Sequence, residues 1–454
     1  MQSFRLEKDS LGEKHISKDS YYGIQTQRAL ENFPISNLKA HKVFIESYLL
    51  IKKAAAIANK KCNVLDKKIA DAIILACDEI LSGKFIDQFV VDVYQAGAGT
   101  SFNMNVNEVI ANRALELTGA EKGNYSLINP NDHVNMSQST NDTYPTAMRV
   151  AALEKLKTFI AALIKFQIVF NEKSVEFASV IKSGRTHLQD ATPISLGQEF
   201  SGYASVLKKH IENITDSKKY FLELGLGGTA VGTGINTPKD YRDVVIVELQ
   251  KLTGMEFKKA DNCFEAMQSM FPFVHLSNAY ANLSLDLIRI ANDLRLLSSG
   301  PMTGLAEIKL PTVQPGSSIM PGKINPSIAE MLNMVCFQVI GNNTTISLAA
   351  QAGQLELNVM MPVINYNLLQ SIEILTNAIT VFSEKCVKGI EANKERCKNY
   401  AEQSISIATL LSPNIGYLKT AELAKEALEK NITVKKLVIE KGIMTETDFD
   451  ALSV

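Results

Sequence analysis

The sequence predicts an all-α chain organised around a bundle of long helices. Three observations carry that expectation. Helix-breaking residues are missing over long distances: no Gly or Pro occurs between Pro145 and Gly184, from Tyr203 to Leu224, from Phe273 to Ser299, or from Val363 to Lys388. Within these stretches apolar residues fall on a three-four spacing, as in Leu153, Leu156, Ile160, Leu163 and Phe170, with polar Gln167 in the slot between the last two. That is the period of an amphipathic helix, not the alternation of a strand. At about 1.5 Å per residue, most of the stretch after Pro145 as one helix exceeds roughly 45 Å. Helices of that length bury their apolar stripes against one another as a bundle.

Around this centre the elements are shorter. Helical runs are expected over 43–60, 67–81 and 105–117, separated by loops. After Gly389 comes a polar, lysine-rich helical tail with its own turn at Ser412-Pro-Asn-Ile-Gly-Tyr417. The expected division is therefore an N-terminal, mostly helical domain over 1–140, a central helical bundle over 141–390 and a small C-terminal helical domain over 391–454.

Composition narrows the function. The chain has 454 residues, 46% hydrophobic and 21% charged, with 47 Lys+Arg against 48 Asp+Glu and a net charge of −1. Nothing in that balance supplies the basic surplus that phosphate backbones demand, so nucleic acid is not an expected partner. No apolar run reaches the roughly 18–20 residues a membrane span needs. The best candidate, 159–170, is broken by Lys165. Charges alternate from Arg5 onward, so the apolar middle of a signal peptide is missing. Cys62, Cys77, Cys263, Cys336, Cys386 and Cys397 show no Cys-x-x-Cys spacing, which favours reduced thiols over disulfides or a zinc site. A cytoplasmic protein, free of membrane, is expected.

Polar, glycine-rich stretches interrupt the helices. Gly97-Ala-Gly-Thr-Ser101 puts Thr100 or Ser101 at a helix N-cap, where hydroxyl and free N–H groups together attract an anion. His133-Val-Asn-Met-Ser-Gln-Ser-Thr-Asn-Asp142 repeats the arrangement with Ser139, Thr140 and Asn141 just before the longest helix. Two such sites suit a carboxylate substrate, which accepts several hydrogen bonds without a metal. Gly184-Arg-Thr-His-Leu-Gln-Asp190 sets Thr186 and His187 on a Gly-led turn. Gly225 to Gly234 contains a G-x-G-x-x-A pattern, but a helical period precedes it, so a dinucleotide site is rejected. Gln314-Pro-Gly-Ser-Ser-Ile-Met-Pro-Gly-Lys-Ile-Asn-Pro326 gathers Ser317, Ser318, Lys323 and Asn325 between prolines, the composition of a loop that closes over an anion.

Gly316-Ser-Ser-Ile-Met-Pro-Gly-Lys-Ile-Asn325 resembles the signature of the aspartase/fumarase superfamily, whose members eliminate across a Cα–Cβ bond to release fumarate. Ser137-Gln-Ser-Thr-Asn-Asp142, Gly184-Arg-Thr-His187 and Glu356-Leu-Asn-Val359 fall in the same order and spacing as the superfamily's motifs, so the resemblance covers almost the whole chain. Tyr21-Tyr-Gly-Ile-Gln-Thr26, Glu31-Asn-Phe-Pro-Ile-Ser36 and Gln95-Ala-Gly-Ala-Gly-Thr-Ser101 are similar to the aspartase branch. Asp190-Ala-Thr-Pro193 is closer to the fumarases. Met302 and Met361 stand where the branch usually carries Arg and Glu, which suggests an ion pair replaced by apolar contact.

The resemblance implies a three-domain helical fold and reversible loss of ammonia from L-aspartate through an enediolate. The alternative is a class II fumarase or another fumarate-releasing lyase of the same fold. It implies Ser317 as general base and Thr100, Ser139, Thr140 and Ser318 as hydrogen-bond partners of the β-carboxylate. Lys323 and Asn325 would hold the α-carboxylate. Asn141, Thr186 and His187 would contact the amino group, with Glu330 orienting His187. No cofactor is implied, beyond room for non-essential activation by a divalent cation. Superfamily members are homotetramers whose active sites draw on three subunits, and the same is expected here.

Overall fold

The computed structural model describes residues 3–452, and among them the chain is mostly helical. The all-α expectation holds, with four two-stranded ribbons added. Thr140–Glu176 forms one helix of 37 residues, followed in length by Phe271–Leu297, Ser327–Gln351, Met361–Lys385 and Leu196–Asp216. Shorter helices run over Lys42–Lys61, Lys67–Leu81 and Thr100–Leu117. Lys67–Leu81 shows why the prediction succeeds there. The Asp66 carboxylate caps its start by accepting the N–H groups of Lys68 and Ile69. Its buried stripe is Ala70, Ile73, Ala76, Cys77 and Ile80.

The expected helix over 203–224 starts earlier and ends earlier. A reciprocal cap sets the start: Ser195 Oγ accepts the Gln198 N–H, and Gln198 Oε1 accepts the Ser195 N–H. Gly197 and Gly202 lie inside the helix, so a criterion built on the absence of glycine could not see its first turns. Beyond Asp216 the chain tightens into a 3₁₀ turn over Ser217–Phe221 and then the short strand Glu223–Leu224.

Packing groups the chain into two compact units. One comprises Met1–Ile160, Asn213–Asn282 and Gln338–Leu375; the other comprises Ala161–Glu212, Leu283–Phe337 and Thr376–Val454. The boundaries fall inside the five longest helices, where no linker composition marks them. In the first unit, helix Lys42–Lys61 packs on Lys67–Leu81 and on Tyr241–Thr253. Phe44, Tyr48, Phe102 and Tyr144 fill the space beside it with mutually tilted rings. The segment expected as a C-terminal domain belongs to the second unit, yet it carries its own apolar cluster around Ile407, Leu411, Leu423, Val434, Leu437 and Phe449.

The second unit also contains an antiparallel hairpin, Ile181–Thr186 paired with Gln189–Ser195. Glu307, fully buried, fastens its base. Lys182 Nζ lies 2.9 Å from the Glu307 carboxylate and 2.9 Å from that of Glu199, and Arg185 Nη1 lies 2.7 Å from Glu307. Buried ions of this kind are tolerated only while paired. Glu307→Ala leaves Arg185 without its carboxylate and Lys182 with Glu199 alone, and the expected loss of stability is about 3 kcal/mol, read as a lowered urea midpoint. An unchanged midpoint would show that the hairpin is anchored elsewhere.

Candidate active site

In the first unit, three polar stretches converge. Gly97–Gly99 forms a 3₁₀ turn in which the Ala98 N–H donates to the Val359 carbonyl at 2.7 Å, joining the first stretch to Glu356-Leu-Asn-Val359. Tyr144 packs against Gly99. The N-cap of the following helix is Gly99, at φ 87, so neither Thr100 nor Ser101 caps it as expected. Thr100 is instead the first helical residue. It is exposed and lines a cavity of about 310 Å³ with Ser101, Ser10, Gln25 and Arg28.

Ser139 does cap its helix. Its Oγ accepts the Asn141 N–H at 3.2 Å, while Asp142 Oδ1 accepts the Ser139 N–H at 2.9 Å. Asp142 Oδ2 takes the N–H groups of Gly227 and Thr229, each at 3.0 Å. Asn141 Nδ2 donates to the Ala230 carbonyl at 2.8 Å. The Gly225–Gly234 stretch is thus a scaffold for the second motif. It follows a two-residue strand and is not the strand-to-helix turn of a dinucleotide fold. Burial pushes the Asp142 carboxyl up to about 6.

Beneath these residues lies Lys52, fully buried, with its Nζ 2.9 Å from both Asn103 Oδ1 and Asn135 Oδ1. Asn103 and Asn107 also donate to Asn135 Oδ1, so the network ties the Thr100 helix to the turn before Ser139. Burial drives the Lys52 ammonium down to about 7.

In the second unit, His187 and Leu188 form the two-residue tip of the hairpin, both at positive φ (56° and 60°), the geometry of a type I′ turn. Thr186 and His187 are exposed there. Gly184 does not lead the turn. It lies within the strand at a register irregularity, where a Cβ would come within 2.5 Å of the Thr192 carbonyl.

The Ser317 loop is pinched shut at Gly316, whose absent Cβ would meet the Lys323 carbonyl at 2.2 Å. Asn325 Nδ2 holds the neck through the Gly316 carbonyl at 2.7 Å, and Lys323 Nζ donates to Asn325 Oδ1 at 2.6 Å. Ser317 Oγ accepts the N–H groups of Ile319 (3.3 Å) and Met320 (3.0 Å). Ser318 and Lys323 are exposed, and the loop borders an open pocket of about 400 Å³.

The structure therefore groups Ser139, Thr140 and Asn141; Thr186 and His187; and Ser317, Ser318, Lys323 and Asn325. Glu330 sits in the first turn of Ser327–Gln351, and among the described residues no hydrogen bond or ion pair joins it to His187. Met302 is 86% exposed, whereas Met361 is buried. Among the described residues no cluster of His, Cys, Asp and Glu could hold a metal ion, and no helix is long and apolar enough to cross a membrane.

Sequence reasoning passed over Asp142 and Lys52, though both left a signal. Asp142 stands three residues after Ser139, the spacing of a capping box. Lys52 follows Tyr48 by four on the buried stripe of its helix.

Hydroxyls and amides at helix starts, with a loop bearing serine and lysine, are the equipment of an enzyme that manages charge on carboxylates. The chain matches the Lyase family model over residues 12–341 and the Fumarase C C-terminus model over 407–453, and it belongs to that lyase family. It is 51% identical over 448 residues to the aspartate ammonia-lyase of a Bacillus species, covering 99% of this chain and 96% of that one. It is 49% identical over 451 residues to the aspartate ammonia-lyase of Bacillus subtilis, covering 99% and 95%. A crystal structure described as a fumarate lyase:delta crystallin from Brucella melitensis bound to cobalt superposes with a TM-score of 0.96 at 50% identity, covering 99% of this chain and 98% of that one. A class II fumarase from Schistosoma mansoni superposes with a TM-score of 0.95 at 39% identity, covering 100% and 98%.

Lys52 gives this site a measurable signature. Its pKa in the folded chain, about 7, lies below the ordinary lysine value of 10.5. The folded chain therefore releases the proton first, and this group makes stability rise as pH climbs from about 7 to 10.5. In Lys52→Met that rise disappears, as urea midpoints at about pH 7 and about pH 10 will register. An equal rise in the variant would assign it to another group.

Proposed function

We infer that this chain is an aspartate ammonia-lyase, converting L-aspartate reversibly to fumarate and ammonia in the cytoplasm. Full-length identity near one half to two enzymes of that name supports the reaction, and Ser317 carries the chemical reading. A serine hydroxyl is a weak base unless its alkoxide is stabilised. Here Oγ already accepts two backbone N–H groups, which favour the charged form.

The Cβ proton of aspartate is barely acidic because it lies beside a carboxylate. Removing it places further charge on that carboxylate, so the main catalytic demand is for donors aimed at its oxygens. Thr100, Ser139, Thr140 and Ser318 meet that demand in the proposed site. Ser317 takes the Cβ proton, giving the enediolate. Its electron pair then forms the Cα–Cβ double bond as the Cα–N bond breaks and ammonia departs. Lys323 and Asn325 hold the α-carboxylate, while Asn141, Thr186 and His187 receive the amino group. In the proposed assembly Glu330 orients the His187 of another subunit. These steps use side chains and backbone N–H groups, and a divalent cation serves only as a non-essential activator.

The proposed assembly is a homotetramer in which three subunits complete each site. Exposed apolar residues recur at helical spacing on the long helices and support it: Ile164, Ile168 and Val175 on one, Met334, Phe337 and Leu348 on another.

Fumarate formation followed by ultraviolet absorbance, with L-aspartate and L-malate in parallel, tests the reading. Release from aspartate is expected, and Ser317→Ala should lower it by about 10²–10⁴-fold or more. Release from malate alone would make the chain a fumarase and give Asp190-Ala-Thr-Pro193 the greater weight.

A further inference from the structure

We propose that Asp142 is the positioning residue that sets Ser139, Thr140 and Asn141 in the array a dicarboxylate needs, with the Gly227–Ala230 loop as its strut. The inference rests on the reading of those three residues as substrate ligands. Asp142 has no exposed surface, so it acts through its neighbours and not by touching a ligand.

Its two oxygens do separate work. Oδ1 closes the helix start through the Ser139 N–H, and Oδ2 holds the loop through Gly227 and Thr229. The loop then reaches back, because the Ala230 carbonyl takes the Asn141 amide nitrogen. Carboxylate, loop and Asn141 thus form a closed circuit of hydrogen bonds. Two consequences follow for the ligand-facing atoms. Asn141 has its NH₂ turned to Ala230, which leaves Oδ1 as an acceptor suited to an ammonium. Ser139 Oγ already accepts the Asn141 N–H, so its own hydrogen is the group left to donate to a carboxylate. Thr229 occupies a left-handed conformation at φ 56, held there by the bond to Asp142.

The groups facing Asp142 are Lys52 and Tyr48 from helix Lys42–Lys61, Tyr241 from Tyr241–Thr253 and Cys263 from Cys263–Gln268. Lys52 is the cation among them. Protonating Asp142 turns an acceptor oxygen into a donor facing N–H groups, so the circuit opens as pH falls through about 6.

The test measures kcat and KM for L-aspartate and the inhibition constant of succinate in Asp142→Asn, Ser139→Ala and Thr140→Ala, each verified as folded by circular dichroism. Asp142→Asn should lose about 10²-fold in kcat/KM and weaken succinate in parallel. It should also flatten the acid limb of the pH profile. In the unsubstituted enzyme, hydrogen exchange across 225–234 should slow when succinate binds, a readout independent of whether the variant folds. A folded Asp142→Asn within about twofold of the parent, or a loop whose exchange ignores succinate, overturns the proposal. If Ser139→Ala and Thr140→Ala are silent as well, the ligand reading itself falls. If they are costly while Asp142→Asn is silent, only the positioning role is lost.

Discussion

Carboxylates buried against helix starts hold the polar stretches of the first unit in place. A helix begins with N–H groups that have no partner of their own, and burying them unpaired costs about 1–3 kcal/mol each. Glu108 accepts from Gly23, Gln25 and Thr26, and Glu7 accepts from Ile24, so that together they close the start of Ile24–Asn32. Asp142 does the same for Thr140–Glu176 and reaches the glycine-rich loop besides. The start of Thr100–Leu117 differs, because Gly99 brings no side chain to cap it. Gln95 Oε1 instead takes the Phe102 N–H at 2.8 Å, while the exposed Thr100, its hydroxyl 3.5 Å from the Gly97 carbonyl, lines a cavity.

How far the fold was legible follows from where its signals lie. Helices appear in the sequence through the spacing of their apolar residues, and Lys67–Leu81 is found to the residue because Asp66 and the turn after Leu81 bracket it. The hairpin over 181–195 is invisible for the opposite reason. Its tip is His187-Leu188, with none of the Asn-Gly or Asp-Gly chemistry that marks a type I′ turn. It is fastened by Glu307, over a hundred residues away in sequence, and local pattern carries no information about such a partner. The unit boundaries are equally hidden, since a continuous helix that passes from one unit into the other needs no glycine or proline where it does so.

The candidate site divides in the same way. Residue types able to bind carboxylates could be picked out because they cluster in short stretches. The groups that orient them could not, since Lys52 and the Gly227–Ala230 loop approach from distant parts of the chain. Lys52 illustrates the difficulty: on an apolar helix a lysine is read as snorkelling to solvent. Only the packing of Asn103 and Asn135 over its ammonium shows that it stays inside.

Backbone strain falls on the polar stretches as well as elsewhere. Of the twelve non-glycine residues at positive φ among the described residues, five lie within these stretches: Ala98, Ser137, His187, Leu188 and Thr229. Non-glycine residues in that conformation cost of order 1–3 kcal/mol each and persist only where the surroundings over-determine them. The surroundings here can be named. The Val359 carbonyl takes the Ala98 N–H, Asp142 takes the Thr229 N–H, and antiparallel pairing up to Thr186 and Gln189 forces the His187-Leu188 tip. Side chains proposed to meet a small dicarboxylate gain from a backbone unable to relax. Flexible surface loops would have reached the same hydroxyls and amides without strain, but would have had to order themselves in each catalytic cycle.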